Sequence, residues 1–302
     1  MTTLFQIVED DPDVLLLTGD LGYGLFEAFE EKYPKQYLNV GVAEQNMIGC
    51  ASGLALEGKK IFVYSIGNFA TLRCLEQIRN DACYHGLNIN IVANGGGFSY
   101  GGLGMSHHAT EDISIMRALP GVTVVVPSSA FEAGHATRAL YQQKGVGYLR
   151  LDKSKTKELG EIQENFQLGV SFKLREGKDI TLITCGGITE EVLASAEELS
   201  KIGIECRVIS MCTIKPIDVN SIKEACKETL GIVTIEENNL IGGLGSAVSE
   251  VCMDNNYRPK FFDRVALNDQ YSTVVGSQKF LRKKYRMDSG HISKIVKGLL
   301  IS

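Results

Sequence analysis

Hydrophobic positions along the chain fall into short strand-sized runs that alternate with longer helical stretches. DVLLLTGD (13–20), KIFVYS (60–65), INIVAN (89–94) and VTVVVPS (122–128) read as strands, each closed by a small, polar or Gly-rich turn. Between them, 42–57, 68–84, 111–118 and 129–143 carry helical patterns. This alternation predicts parallel strands joined by right-handed crossover helices. GVGYLRLD (145–152) adds a further strand.

The next segment, KSKTKELGEIQENFQLGVSF (153–172), is polar and without sustained periodicity, and reads as a linker. The pattern then restarts. DITLITCGG (179–187), a helix over 189–202, IECRVISM (204–211), a helix over 219–229, GIVTIEEN (231–238) and a helix from residue 243 form a second unit. The predicted class is therefore α/β, with two domains, 1–152 and 173–302, around a linker at 153–172. There is no repeat period.

Composition changes this picture little. The 302 residues are 44% hydrophobic and 22% charged, as in an ordinary globular protein. A formal net charge of −5 argues against a nucleic-acid footprint, which needs a basic excess. The start, MTTLFQIVEDDPDV, lacks the basic and apolar regions of a secretory signal, and apolar runs such as VTVVV (122–126) are too short to span a membrane. The eight cysteines form no C-x-x-C pair, so they read as reduced, mostly buried thiols of a cytoplasmic protein.

Candidate chemistry concentrates in three stretches. VGVAEQNMIG (40–49) opens a helix of small and apolar residues, yet places Glu44 at its start. By itself that acid fits a first-turn partner of the helix dipole. Gly49 and Gly53, four apart, suggest tight packing on one helix face. NGGGFSYGGLGMSHH (94–108) is a Gly-rich loop after a strand, where ligands bind in parallel sheets. It is neither a Walker loop nor a dinucleotide fingerprint. His107 and His108 lack local partners for zinc, so a substrate-facing acid, base or donor is the better reading, with a structural role for His108 equally open. EENNLIGGLGSAVSE (236–250) puts Gly242, Gly243 and Gly245 at the start of a helix, which suits close packing and a turn better than anion binding.

In their order along the chain, these stretches resemble the C-terminal half of transketolase. The resemblance is carried by TGDLG (18–22), GVAEQNMIGCASGLAL (41–56), FVYSIGNFATLRCLEQIRNDACY (62–84), GGLGMSHHATEDISIMRALPGVTVVVPSSAFEA (101–133) and EENNLIGGLGSAVSE. It implies a pyrimidine-binding domain followed by a transketolase C-terminal-like domain, and thiamine diphosphate as cofactor. The family's aminopyrimidine becomes a base in its imino form, which a carboxylate favours by hydrogen-bonding the distal ring nitrogen. By resemblance Glu44 is that carboxylate, Phe69 stacks on the pyrimidine, Ile66 belongs to the same wall, and Asp20 is the acid of a turn near the cofactor. His107 matches the histidine of the family string G-E-D-G-P-T-H-Q, which touches substrate near the reacting carbons. His108, Arg150 and Lys153 are further candidates for holding substrate.

The departures carry equal weight. No G-D-G motif with its downstream Asn occurs in the chain, although the family uses that motif to hold Mg²⁺ and the cofactor diphosphate. The resemblance therefore implies half a site, completed by an N-terminal subunit, in an assembly of two chains of each kind. Leu103 stands where the family has a sugar-contacting acid, Gly95 where it has a phosphate-binding His, and Gly24 where it has a Ser. The start of the chain also lies after the helix that supplies a phosphate-binding Arg. Loss of several such contacts implies a donor or acceptor other than an ordinary pentose phosphate, such as a 2-oxo acid or a nucleotide-linked sugar. The resemblance implies transfer of a two-carbon ketol, or a related acyl-anion unit, from a ketose or 2-oxo acid donor to an aldehyde or sugar acceptor. Two rival functions stand beside this ketol transfer. One is carboligation or acyl transfer, as in deoxyxylulose-phosphate synthase or the beta subunit of a 2-oxo acid dehydrogenase. The other is a non-enzymatic interaction subunit.

Overall fold

The computed structural model describes residues 1–152 and 166–301. Twelve strands in these residues build two sheets. In the first half, β1 (Val14–Thr18), β2 (Tyr37–Asn39), β3 (Lys60–Ile66), β4 (Ile89–Asn94), β5 (Thr123–Val125) and β6 (Gly147–Leu151) pair in parallel. In the second half come β7 (Phe172–Arg175), β8 (Ile180–Thr184), β9 (Cys206–Ser210), β10 (Thr213–Lys215), β11 (Gly231–Asn239) and β12 (Phe261–Leu267). The first sheet has the order β10-β5-β6-β4-β3-β1-β2 and the second β12-β11-β8-β9-β7. The pairs β10–β5 and β7–β9 are antiparallel and the rest are parallel, so both units are α/β with mostly parallel sheets.

The apolar runs make the central strands for a simple reason. Strands covered by helices on both faces have no wet face, so β8 and β9 are buried at every residue and β11 at all but its last. Helices lie where the pattern predicted them, at Glu44–Leu56, Asp112–Ala118, Ala130–Gln142, Thr189–Ser200, Val219–Glu228 and Leu244–Asp254.

Four expectations change. The helix expected over 68–84 is broken into Gly67–Ala70, a 3₁₀ turn at Leu72–Cys74, Leu75–Gln77 and a π-helical stretch at Ile78–Cys83. Thr71 is the break: its hydroxyl donates to the Gly67 carbonyl at 2.7 Å, competing with the regular ladder. The expected linker ends earlier than 172, because Phe172 begins β7; its first part, 153–165, including Lys153, lies outside the described residues. Strand β10 crosses from the second half of the chain to complete the first sheet. Gly49 and Gly53 meet no backbone, since a Cβ built on either has nothing within 4 Å, and both are exposed. Among the described residues, tight packing at these glycines therefore does not occur.

The core crosses between the halves. One cluster runs from Leu17, Ile48 and Val63 through Tyr148 to Ile183, Ile209, Ile232 and Leu244. A second gathers Leu182, Val233, Leu281 and Val296 and includes Phe98 from the Gly-rich loop of the first half.

Candidate active site

The predicted residues collect beyond the C-terminal ends of β1 to β4, the edge of a parallel sheet where ligands bind. Glu44 is the first residue of its helix and is buried, with 2% of its surface exposed. A carboxylate there gains from the helix dipole, but burial requires a partner as well. Arg73 supplies it, donating from Nη1 to Glu44 Oε2 at 2.8 Å. The same guanidinium lies over the Phe69 ring, 4.2 Å from its centroid. Phe69 in turn meets the His107 ring edge-on at 5.1 Å. Glu44, Arg73, Phe69 and His107 thus form one continuous patch, with Ile66 half-buried at the end of β3, one turn before Phe69.

Asp20 sits in the turn after β1 with φ +57, a left-handed conformation that Asp tolerates better than most residues. Its backbone N–H donates to Asn39 Oδ1 at 2.9 Å, and Gly41 N donates to the same oxygen at 3.0 Å. Asn39, at the end of β2, therefore ties the Asp20 turn to the turn that starts the Glu44 helix. The two turns nearly touch: a Cβ on Gly19 would stand 3.2 Å from the Gly41 carbonyl oxygen and 3.8 Å from Glu44 Cγ.

The loop after β4 carries the histidines in different ways. His107 is half-buried, with Ser106 Oγ 3.0 Å from its Nδ1. His108 is buried at 2%, with Nε2 3.3 Å from the Gly101 carbonyl and its ring edge-on to Phe98 at 5.1 Å. Burial pushes its pKa down. The reading of His108 as a substrate contact is corrected: its ring faces inward and anchors the loop. Arg150 is corrected too as a substrate contact. It is 4% exposed, pairs with Asp112 at 2.8 Å, and donates to the carbonyls of Ala109 and Glu237. Burial opposes its charge, but Asp112, Tyr148, Cys185 and Glu237 together outweigh burial and raise its pKa.

Sequence reasoning missed three residues. Arg73 looked like one polar position of a helix, and no local pattern reveals that its guanidinium covers Phe69. Glu236 explains the glycines of the second half. Its carboxylate accepts from the backbone N–H groups of Leu244 and Gly245, at 2.7 and 2.8 Å, at the start of their helix. A Cβ on Gly243 would stand 2.0 Å from Glu236 Oε2. The helix N-terminus does hold an anion, and that anion is internal. Burial pushes the Glu236 carboxyl up to about 7, against the two amides. Glu237 is buried as well, and pairs with Arg282 at 2.5 Å; burial raises its pKa while Arg282 opposes the rise.

Chemically, the patch suits a flat hydrogen-bond donor. Arg73 is a planar cation that donates to Glu44 while stacked on Phe69, and an aminopyrimidine ring presents the same two features. The residues present therefore fit the pyrimidine end of thiamine diphosphate. Among the described residues, no group of three or more His, Cys, Asp or Glu is arranged to hold a metal ion. No helix among them is long and apolar enough to cross a membrane. All eight cysteines are free, five of them buried.

Two family models match the chain: transketolase, pyrimidine binding domain, over residues 1–158, and transketolase, C-terminal domain, over 170–292. The chain is 37% identical to a putative transketolase C-terminal section of Methanocaldococcus jannaschii, over 97% of this chain and 92% of that protein. It is 34% identical to one of the subunits of an apulose-4-phosphate transketolase from Phocaeicola vulgatus, over 97% and 93%. It is also 34% identical to a 6-deoxy-6-sulfo-D-fructose transketolase subunit of a Clostridium species, over 96% and 89%. A solved structure described as a split gene transketolase, inactive beta4 tetramer, superposes with a TM-score of 0.88 at 33% identity, covering 99% of this chain and 96% of that one.

Proposed function

The chain belongs to the transketolase family, with its pyrimidine-binding and C-terminal domains, and on that premise we propose that it is the C-terminal subunit of a split transketolase. In this reading it transfers a two-carbon ketol unit from a ketose or 2-oxo acid donor to an aldehyde acceptor. The observation that carries the proposal is the buried Glu44 carboxylate, bridged by Arg73 to the Phe69 ring, with His107 in contact with that ring.

Bound thiamine diphosphate supplies the nucleophilic carbon that takes up the ketol unit and passes it on. This chain's residues prepare the site. Glu44 accepts a hydrogen bond from the pyrimidine end and favours its basic tautomer. Phe69 and Ile66 form the wall on which the ring is seated, and the Asp20 turn supports the same edge. Arg73, with 45% of its side chain exposed, has room to swing out of the seat it fills. His107 orients the substrate and moves a proton at its oxygen.

The diphosphate and Mg²⁺ belong to an N-terminal partner, since the chain lacks the motif that would hold them. Two relatives are themselves named as transketolase subunits, which supports a heteromeric enzyme. Their named substrates differ from each other, so neither is carried over. Leu103 and Met105 are more than half exposed beside His107, which supports a substrate other than an ordinary pentose phosphate.

The test is reconstitution. The chain is mixed with a partner bearing the G-D-G…N motif, thiamine diphosphate and Mg²⁺, and ketol transfer is assayed with a panel of sugar and 2-oxo acid donors. Turnover is expected only with both chains present. Full turnover by this chain alone would overturn the half-site reading. Acylation of lipoamide without carboligation would favour the 2-oxo acid dehydrogenase alternative.

A further inference from the structure

The loop that carries His107 is held chiefly from the other half of the molecule. Gly97 and Phe98 lie against Glu237: Phe98 N donates to Glu237 Oε1 at 2.5 Å, and a Cβ on Gly97, at φ +59, would stand 2.5 Å from the same oxygen. The Phe98 ring is fully buried and stacks on Tyr285, with centroids 5.5 Å apart and planes 21° apart. Further along, Gly101 accepts from Gly276 N at 3.1 Å. A Cβ on Gly101 would meet the Gly276 carbonyl oxygen at 2.4 Å and Leu281 at 2.7 Å. The first half contributes Asn68, which donates to the His108 carbonyl at 2.5 Å and lies in the segment that carries Phe69.

Glu237 is the hinge point of this arrangement. Its Oε2 takes the Arg282 Nε–H at 2.5 Å, and Arg282, 1% exposed, also pairs with Glu190. Gln278 donates to Glu237 Oε1 at 3.0 Å. Each carboxylate oxygen is thus fixed by a partner of the second half, and one of them also receives an amide of the loop. A buried carboxylate so clamped has one position. The strand that bears it, β11, is buried at eight of its nine residues.

We infer that Glu237 is a positioning residue for the reaction, acting through Phe98 to set where His107 meets Phe69, so that the second domain forms part of the site although it supplies no group to the reacting atoms. This rests on the ketol-transfer reading of His107. It gives the C-terminal domain a task beyond stability: its Glu237–Arg282–Tyr285 cluster fixes one side of the pocket, while Asn39 and Arg73 fix the other.

The test uses the full chain with histidine-selective isotope labelling, and the same chain assembled with its partner. Glu237→Gln is expected to move the His107 ring resonances while leaving those of His135 and His291 in place. In the assembled enzyme it is expected to lower kcat at least tenfold, with thiamine diphosphate affinity within threefold of wild type. Glu228→Gln is the control. It cuts another ion pair of the second domain, Arg207–Glu228 at 2.7 Å, and is expected to do neither. A folded Glu237→Gln with unmoved His107 resonances would overturn the inference, as would a Glu228→Gln that moves them equally. Should Glu237→Gln fail to fold, Tyr285→Leu, which removes the stack on Phe98, is read by the same criteria. If the wild-type assembly shows no ketol transfer, the functional reading fails, while the resonance measurement on the single chain still decides whether Glu237 positions His107.

Discussion

At the scale of single residues, the buried acids differ in what their burial achieves. Glu44 is paired with a half-exposed arginine at the edge of the sheet, whereas Glu236 is sealed under a helix N-terminus and serves the fold. Its titration gives a direct check. The unfolded side chain ionises near pH 4.3, while burial pushes the folded one up to about 7. Between these values the native state holds the extra proton, so this group's contribution makes stability fall as pH rises, and above about 7 it is flat. Glu236→Gln loses one acceptor for the helix amides and is expected to cost about 1–3 kcal/mol. It should also remove that part of the slope in urea midpoints measured from pH 5 to 8. A variant with the wild-type slope would contradict the assignment. The grouping of Glu44, Phe69 and His107 was legible because their motifs stand in a recognisable order. Arg73 and Glu237 were not, since their significance depends on contacts across 29 and 139 positions of chain.

At the scale of elements, the Gly-rich loop shows why its glycines differ. Gly101 sits against the Gly276 carbonyl oxygen and Leu281, while Gly102 is open on its Cβ side. Gly101→Ala is therefore expected to destabilise by about 1–3 kcal/mol, because a backbone oxygen cannot yield as a side chain does. Gly102→Ala should stay within about 0.5 kcal/mol of wild type. Chemical denaturation of both variants checks the pair, and equal costs would refute the packing argument. The strands legible in sequence were those written as unbroken apolar runs. β2 and β10 escaped because, unlike β5 within VTVVVPS, their three residues stand in no longer apolar run, and β12 because Asp263 and Arg264 interrupt its apolar pattern. The break at Thr71 escaped because a hydroxyl that returns to its own helix leaves the surrounding hydrophobic pattern unchanged.

At the scale of the whole molecule, two domains share one structural account. β10 hydrogen-bonds into the first sheet, the largest core cluster spans both halves, and Phe98 is buried in the core of the second. Neither unit keeps its core when the other unfolds, so calorimetry is expected to give a single transition. Two resolved transitions would show that the domains melt independently. The same continuity lets the second domain fix the loop of the first. The most direct measurement of the central claim is ketol transfer by the assembled enzyme with Glu44→Gln in place of wild type, assembly being confirmed by sedimentation. Loss of the carboxylate should lower kcat by at least about 100-fold with the assembly intact; a change of less than threefold would contradict the role given to Glu44.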